Sequence, residues 1–116
     1  MHSVFVYGTL MYPIVLESFG IGKDRVMPDE LTGYSARVLS CASFPGLVKD
    51  EGHTQQGKRL IDITDDELSD LDRYESEGFM YHRIPVKTKM GEAQVYLWAD
   101  QATITPDFWE PEEARL

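Results

Sequence analysis

Thr64-Asp65-Asp66-Glu67-Leu68-Ser69-Asp70-Leu71-Asp72-Arg73-Tyr74-Glu75 is the stretch of this chain with the plainest helical signature. A threonine followed three residues later by a glutamate, just ahead of an apolar pattern, is a capping box, in which each side chain accepts the other residue's backbone N–H. The spacing predicts a helix from Asp65 to Tyr74 or Glu75. With Leu68 at zero and about 100° per residue, Leu71 lies at roughly −60°, Asp72 at roughly +40° and Glu75 at roughly −20°. Glu75 therefore falls between the two leucines and projects along the apolar stripe. Asp66, Asp70 and Glu77 fall on the far side, toward water. An inward carboxylate is costly unless it is paired or hydrogen-bonded, and burial raises its pKa above the ordinary glutamate value of about 4.3. Functional sites tolerate such a cost. The pattern leaves a blander arrangement open: Glu75 partly exposed at a frayed helix end, or paired with Arg73 or Arg83.

Outward from this helix, the chain reads mostly as strands. Val4-Phe5-Val6-Tyr7 is β-branched and aromatic with both alternating faces apolar, as in an interior strand, and Gly8-Thr9 breaks it. Met11 to Phe19 is apolar with Pro13 near its start, which leaves a short helix and an irregular segment both open. Leu31 to Ser40 is strand-like. Ser43-Phe44-Pro45-Gly46 and Asp50-Glu51-Gly52-His53 read as turns, with Leu47-Val48 extended between them and Gln56 to Ile63 a further strand. Arg83 to Thr88 and Ala93 to Trp98 form a hairpin pattern joined by Lys89-Met90-Gly91-Glu92. Residues 101–116 carry two prolines and several acids and read as a peripheral tail, held through Phe108 and Trp109 or frayed. Strands flanking one strong helix predict an α+β fold with a mixed sheet.

The length of 116 residues fits a single domain over residues 1–116, enough for one core without disulfides or a metal. The single cysteine, Cys41, has no partner within the chain, which points to a reducing, cytoplasmic setting and to a small buried hydrophobe. No basic segment followed by an apolar run opens the sequence, and no apolar stretch approaches membrane-spanning length. Eleven basic against 20 acidic side chains leave a net charge of −9, which argues against nucleic acid and against an anionic membrane surface. His2, His53 and His82 lack ligand spacing, so no metal is expected. Cys41 and Ser43 lack a local nucleophile signature.

Two signatures, in order, carry a family resemblance. Val4-Phe5-Val6-Tyr7-Gly8-Thr9-Leu10 is similar to the opening strand and loop of γ-glutamylcyclotransferase-like proteins. Leu71-Asp72-Arg73-Tyr74-Glu75, followed by Tyr81-His82-Arg83, resembles that family's second signature, whose glutamate is catalytic. Phe44-Pro45-Gly46-Leu47-Val48 and Gly57 also sit where the family has similar residues. Val95-Tyr96-Leu97-Trp98-Ala99-Asp100 and Phe108-Trp109 look closest to the plant-type, avirulence-induced branch. Two departures are visible: the acidic insert Ser76-Glu77-Gly78-Phe79-Met80 ahead of Tyr81, and the charged start of Lys58-Arg59-Leu60-Ile61-Asp62-Ile63.

The resemblance implies a mixed sheet curled into a small barrel with one or two flanking helices. It implies a cofactor-independent enzyme that cyclises a γ-glutamyl group to pyroglutamate and releases an amine. It assigns Glu75 the acid/base role and the Tyr7-Gly8-Thr9-Leu10 loop the binding of the substrate's carboxylate or developing oxyanion through its N–H groups. On residue chemistry Gly8 would allow close approach and an unusual φ. Tyr81 and Arg83 either line the site or pack at a strand start, and Asp72 either shares the site or bonds backbone amides. The expected partner is a small γ-glutamyl substrate. The oligomeric state stays open, with a monomer the simpler expectation. The rival expectation is a repurposed member that binds a small acyl or amino-acid ligand without turning it over.

Overall fold

The structure, a computed structural model, describes residues 1–75 and 80–110. The acidic insert and the Glu77 assignment therefore lie outside the described residues, apart from Met80.

The elements follow in chain order: β1 (His2–Val6), α1 (Pro13–Ser18), β2 (Val26–Leu39), β3 (Pro45–Ile63), α2 (Asp65–Tyr74), β4 (Tyr81–Thr88), β5 (Gly91–Trp98) and β6 (Ile104–Phe108). The strands form one six-stranded sheet in the order β4-β5-β1-β3-β2-β6. β1 lies in its interior, antiparallel to β3 and parallel to β5, so the sheet is mixed. The apolar run beginning at Val4 demands this position. Val4 and Val6 face a cluster with Leu16, Leu60, Leu68, Leu71 and Trp98, and both helices pack there. Phe5 and Tyr7 face a second cluster built from strand residues such as Leu31, Leu47 and Val95.

The sheet curls on itself. β4 and β2 stand far apart in strand order, yet the Lys89 N–H donates to the Glu30 carbonyl at 3.0 Å. Beside that bond, the Met90 N–H reaches Asp29 Oδ1 at 3.2 Å and the Thr88 hydroxyl reaches Asp29 Oδ2 at 2.5 Å. The tip of the β4–β5 hairpin is thus clasped to β2, giving a half-barrel with two helices. Thr88 pairs with Gly91, so the hairpin turns on Lys89 and Met90 alone, tighter than the four residues expected.

Met11–Phe19 resolves into the short helix α1, with Pro13 in its first turn where a missing N–H costs nothing. Asp50–His53 does not end a strand. Thr32 pairs with Thr54 and Tyr34 with Lys49, so one residue of β2 faces four of β3 and the same pairing resumes beyond. Gly33 at φ 92° and Gly52 at φ 88° supply the left-handed backbone that this corner requires. The tail is more than peripheral through residue 108. β6 pairs with β2, and the Trp109 N–H donates to the Ala36 carbonyl at 3.0 Å. Cys41 is exposed, against expectation, because it lies in the short connection between β2 and β3 rather than on a core-facing strand position. No described helix is long and apolar enough to cross a membrane.

Candidate active site

The capping box forms as the sequence requires. Thr64 Oγ1 accepts the Glu67 N–H at 3.1 Å and the Glu67 carboxylate accepts the Thr64 N–H at 3.0 Å. Arg25 then grips both oxygens of Glu67, at 2.8 and 2.7 Å, holding that carboxyl down at a pKa of about 2. With its start fixed, α2 runs ten residues, buries Leu68 and Leu71, and ends at Glu75. Glu75 is the C-terminal cap, its N–H donating to the Leu71 carbonyl at 3.0 Å.

There the Glu75 side chain borders a cleft of about 270 Å³, lined also by Thr9, Ser43, Phe44, Tyr74, Met80 and Tyr81. Glu75 is half-buried at the helix end, and neither of the arginine pairings forms. Arg73 pairs with Asp70 at 2.5 Å, and Arg83 grips Asp72 through Nε at 2.8 Å and Nη2 at 3.1 Å. Among the described residues no hydrogen bond or ion pair engages the Glu75 carboxylate. Burial without a partner pushes its pKa up to about 7. The adjoining phenols do not relieve it. Tyr7 donates to the Tyr96 carbonyl at 2.6 Å, Tyr81 to the Pro45 carbonyl at 2.7 Å, and Tyr96 to Asp72 at 2.7 Å. Burial pushes all three phenols above their ordinary pKa, and the nearby Glu75 charge adds to the effect.

The opening loop meets this cleft through Thr9. Thr9, Leu10 and Met11 form a 3₁₀ turn directly after β1, and Thr9 Oγ1 lies 2.8 Å from the Tyr74 hydroxyl. Tyr7 and Leu10 point into the core instead. Gly8 has an ordinary negative φ of −120°, so the unusual φ expected of it is absent. What requires glycine there is space: a Cβ would sit 2.9 Å from Pro45 Cγ. The first N–H groups of a helical turn have no partner within it. At Thr9 and Leu10 they belong to the loop that carries the cleft wall.

Tyr81 both lines the cleft and packs, its ring centroid 5.1 Å from Trp98 and 6.3 Å from Phe44. Asp72 bonds side chains, Arg83 and Tyr96, rather than backbone amides. Ser43, Phe44, Tyr74 and Met80 were not identified from sequence as site residues. Tyr74, adjoining Glu75 on the helix, was the one whose position could have been read. Ser43 and Phe44 come from a loop whose direction no periodic pattern encodes. A second groove, of about 390 Å³, lies on the other side of the 3₁₀ turn among Met11, Leu16, Ile21 and Lys58. It does not contain Glu75.

Residues 4–113 match the family described as "Gamma-glutamyl cyclotransferase, AIG2-like". The chain belongs to this family. "AIG2-like protein A" of Arabidopsis thaliana is 30% identical over 122 residues, covering 97% of this chain and 72% of that protein. A solution structure of an Arabidopsis thaliana protein superposes with a TM-score of 0.78 at 28% identity, over 98% of this chain and 72% of that one. A structure named "Gamma-glutamyl cyclotransferase" superposes with a TM-score of 0.61 over 84% of this chain and 66% of its own. At 14% identity that likeness shows the fold alone. The curled mixed sheet is thus the fold of the γ-glutamyl cyclotransferase, AIG2-like family, and the Glu75 cleft is where this member brings its two signature segments together.

Proposed function

We propose that this protein is a γ-glutamyl cyclotransferase with Glu75 as its acid/base. The substrate's α-amine attacks its own γ-carbonyl carbon, a five-membered lactam closes, and the γ-C–N bond breaks. Pyroglutamate and a free amine leave. The reaction needs a proton taken from the α-amine and one delivered to the departing nitrogen. A single carboxyl can do both in turn if its pKa lies near working pH.

The observation that carries this reading is the Glu75 carboxylate itself. It lies at a cleft, has no partner among the described residues, and has a pKa raised to about 7 by burial. An ordinary glutamate near pH 7 is almost wholly ionised and a poor proton donor. Glu75 is poised to hold and release a proton. In this scheme the Thr9 and Leu10 N–H groups face the substrate carboxylate or the oxyanion that develops on the γ-carbonyl. One preorganised donor of that kind is typically worth about 3 kcal/mol. The ring walls of Phe44, Tyr74 and Tyr81 limit water at the reacting atoms.

The test is a panel of γ-glutamyl amines and γ-glutamyl amino acids incubated with the protein, with pyroglutamate and the released amine quantified together. Equimolar release from at least one compound is expected. Tight binding of these compounds with no release would favour a member that binds such ligands without turnover.

A further inference from the structure

A hydrogen bond joins the two signature segments at the edge of the cleft. Thr9, from the turn after β1, and Tyr74, from the last turn of α2, both line the cleft, and Thr9 Oγ1 lies 2.8 Å from the Tyr74 hydroxyl. The two residues are 65 positions apart in the chain. Among the described residues this is the one hydrogen bond between the Thr9–Met11 turn and α2. The other bonds of the turn stay local or run to β3: the Met11 N–H donates to the Gly8 carbonyl at 2.9 Å, and Lys58 Nζ donates to the Met11 carbonyl at 3.2 Å.

Tyr74 is an exposed side chain. Holding such a side chain in one rotamer costs entropy, which its contacts must offset. Here the contacts are at both ends. Phe19, at the C-terminal end of α1, meets the Tyr74 ring edge-on, with centroids 5.5 Å apart and planes at 86°. Thr9 holds the hydroxyl.

We propose that Tyr74 is a positioning residue: its hydroxyl, bonded to the Thr9 side chain, sets the spacing between the N–H groups of the opening turn and the Glu75 carboxylate. The inference rests on the reading of Glu75 as the acid/base. Glu75 follows Tyr74 directly and caps the same helix, so what fixes Tyr74 also fixes the backbone from which Glu75 projects. Thr9 carries one of the two N–H groups assigned to the substrate's carboxylate or developing oxyanion. Those donors and the Glu75 carboxyl must act on one γ-glutamyl group at once. A misplacement of about 1 Å among such groups can cost on the order of 100-fold in rate. Losing one exposed hydrogen bond loosens the spacing without abolishing it, and is worth on the order of three- to tenfold.

The bond can be removed from either side. Tyr74→Phe keeps the ring against Phe19, and Thr9→Val keeps the shape of threonine. Each should lower kcat about three- to tenfold with KM within about twofold of wild type. The double variant should be no slower than either single one, because both changes remove the same bond. Thr9→Ser keeps a hydroxyl in place and should stay close to wild type. A tyrosine that touched substrate directly would give Tyr74→Phe an effect that Thr9→Val does not share. A merely structural bond would lower the melting temperature and leave turnover per folded molecule unchanged.

The experiment measures kcat and KM for pyroglutamate release in these variants, with 1H–15N amide spectra of each. Reciprocal displacement is expected: the Thr9 and Leu10 signals move in Tyr74→Phe, and the Tyr74 and Glu75 signals move in Thr9→Val. Turnover within twofold of wild type in both single variants, or losses that multiply in the double, overturns the inference. So do Tyr74 and Glu75 signals that stay unmoved in Thr9→Val. If Tyr74→Phe fails to fold, Thr9→Val set against Thr9→Ser decides alone. The spectra need no turnover. Absence of pyroglutamate release from the wild type would therefore sink the acid/base reading, while the bridge between turn and helix stands or falls on its spectra.

Discussion

Among the described residues, the carboxylates of Asp29 and Glu75 sit in opposite surroundings. The Asp29 side chain is fully buried on β2, and its oxygens are saturated. Oδ1 accepts the Glu30 N–H at 2.8 Å and the Met90 N–H at 3.2 Å, while Oδ2 accepts the Thr88 hydroxyl at 2.5 Å with Arg59 Nη1 at 3.5 Å. Glu75 has lost much of its hydration and has no such replacement among the described residues. Asp29 closes the barrel by tying the hairpin tip to β2. Glu75 closes nothing. Burial with full satisfaction makes a structural acid, and burial without it makes one whose proton affinity is free to serve chemistry.

The sharpest break in that comparison is Glu75→Gln. Glutamine keeps the shape and cannot take a proton at neutral pH, so pyroglutamate release should fall about 100- to 10,000-fold. Its melting temperature should hold or rise, since a desolvated charge is gone, and ligand affinity should survive. Wild-type-like turnover by folded Glu75→Gln would mean that the proton is handled elsewhere.

Asp29→Ala should do the reverse. It removes the carboxylate beside Arg59, which keeps its bonds to Thr88, Gly91 and Glu92, and takes an acceptor from the Glu30 and Met90 N–H groups; breaking a buried pair in this way typically costs about 3–5 kcal/mol. Chemical denaturation measures the loss. Turnover per folded molecule should stay near wild type, and a selective loss of turnover without loss of stability would erase the distinction between the two acids.

Linkage gives a finer measure. The folded pKa of Glu75 is about 7 against 4.5 for an ordinary glutamate, so the folded state holds the proton more tightly. Stability is therefore greatest below pH 4.5 on this account and falls as pH rises toward 7, then levels. The difference amounts to on the order of 3 kcal/mol. Subtracting the pH–stability curve of Glu75→Gln from that of wild type isolates it, and a flat difference curve would mean that Glu75 is well solvated. Glu67 runs the other way, as a carboxyl depressed by Arg25, and its contribution is lost as pH falls through about 2.

Two smaller effects sharpen the contrast. Thr64→Ala removes half of the capping box that sets the phase of α2, and should cost about 1 kcal/mol in denaturant melts. Because Glu75 sits at the far end of that helix, its turnover should fall less than tenfold. Cys41→Ser should change turnover less than twofold, although the thiol is exposed and its loop continues into the cleft residues Ser43 and Phe44. A larger loss in a folded protein would place that thiol in the chemistry.

Local patterns carried much of this architecture. The capping box, the Leu68/Leu71 stripe and the β-branched opening run are short-range features, and each formed where its residues demanded. Glu75 was placed inward by helical geometry alone, because a rigid 3.6-residue period converts sequence position into direction. Sequence also narrowed the alternatives for Met11–Phe19 and for Tyr81 without deciding them. Other features depend on partners distant in the chain. Asp50–His53 reads as a turn on composition, and becomes a corner within one strand pair because β2 continues on both sides of it. Cys41 reads as a small hydrophobe, and is exposed because its loop crosses the surface. Arg83 was equally available to Glu75 and to nothing in particular. Folding β4 beside α2 gave it to Asp72, and no ion pair engages Glu75 among the described residues. Helix phase is local, and the sequence by itself determined that Glu75 lies on the Leu68/Leu71 side of α2. Which groups border it was decided by the tertiary structure, since Thr9, Phe44 and Tyr81 come to the cleft from segments distant in the chain.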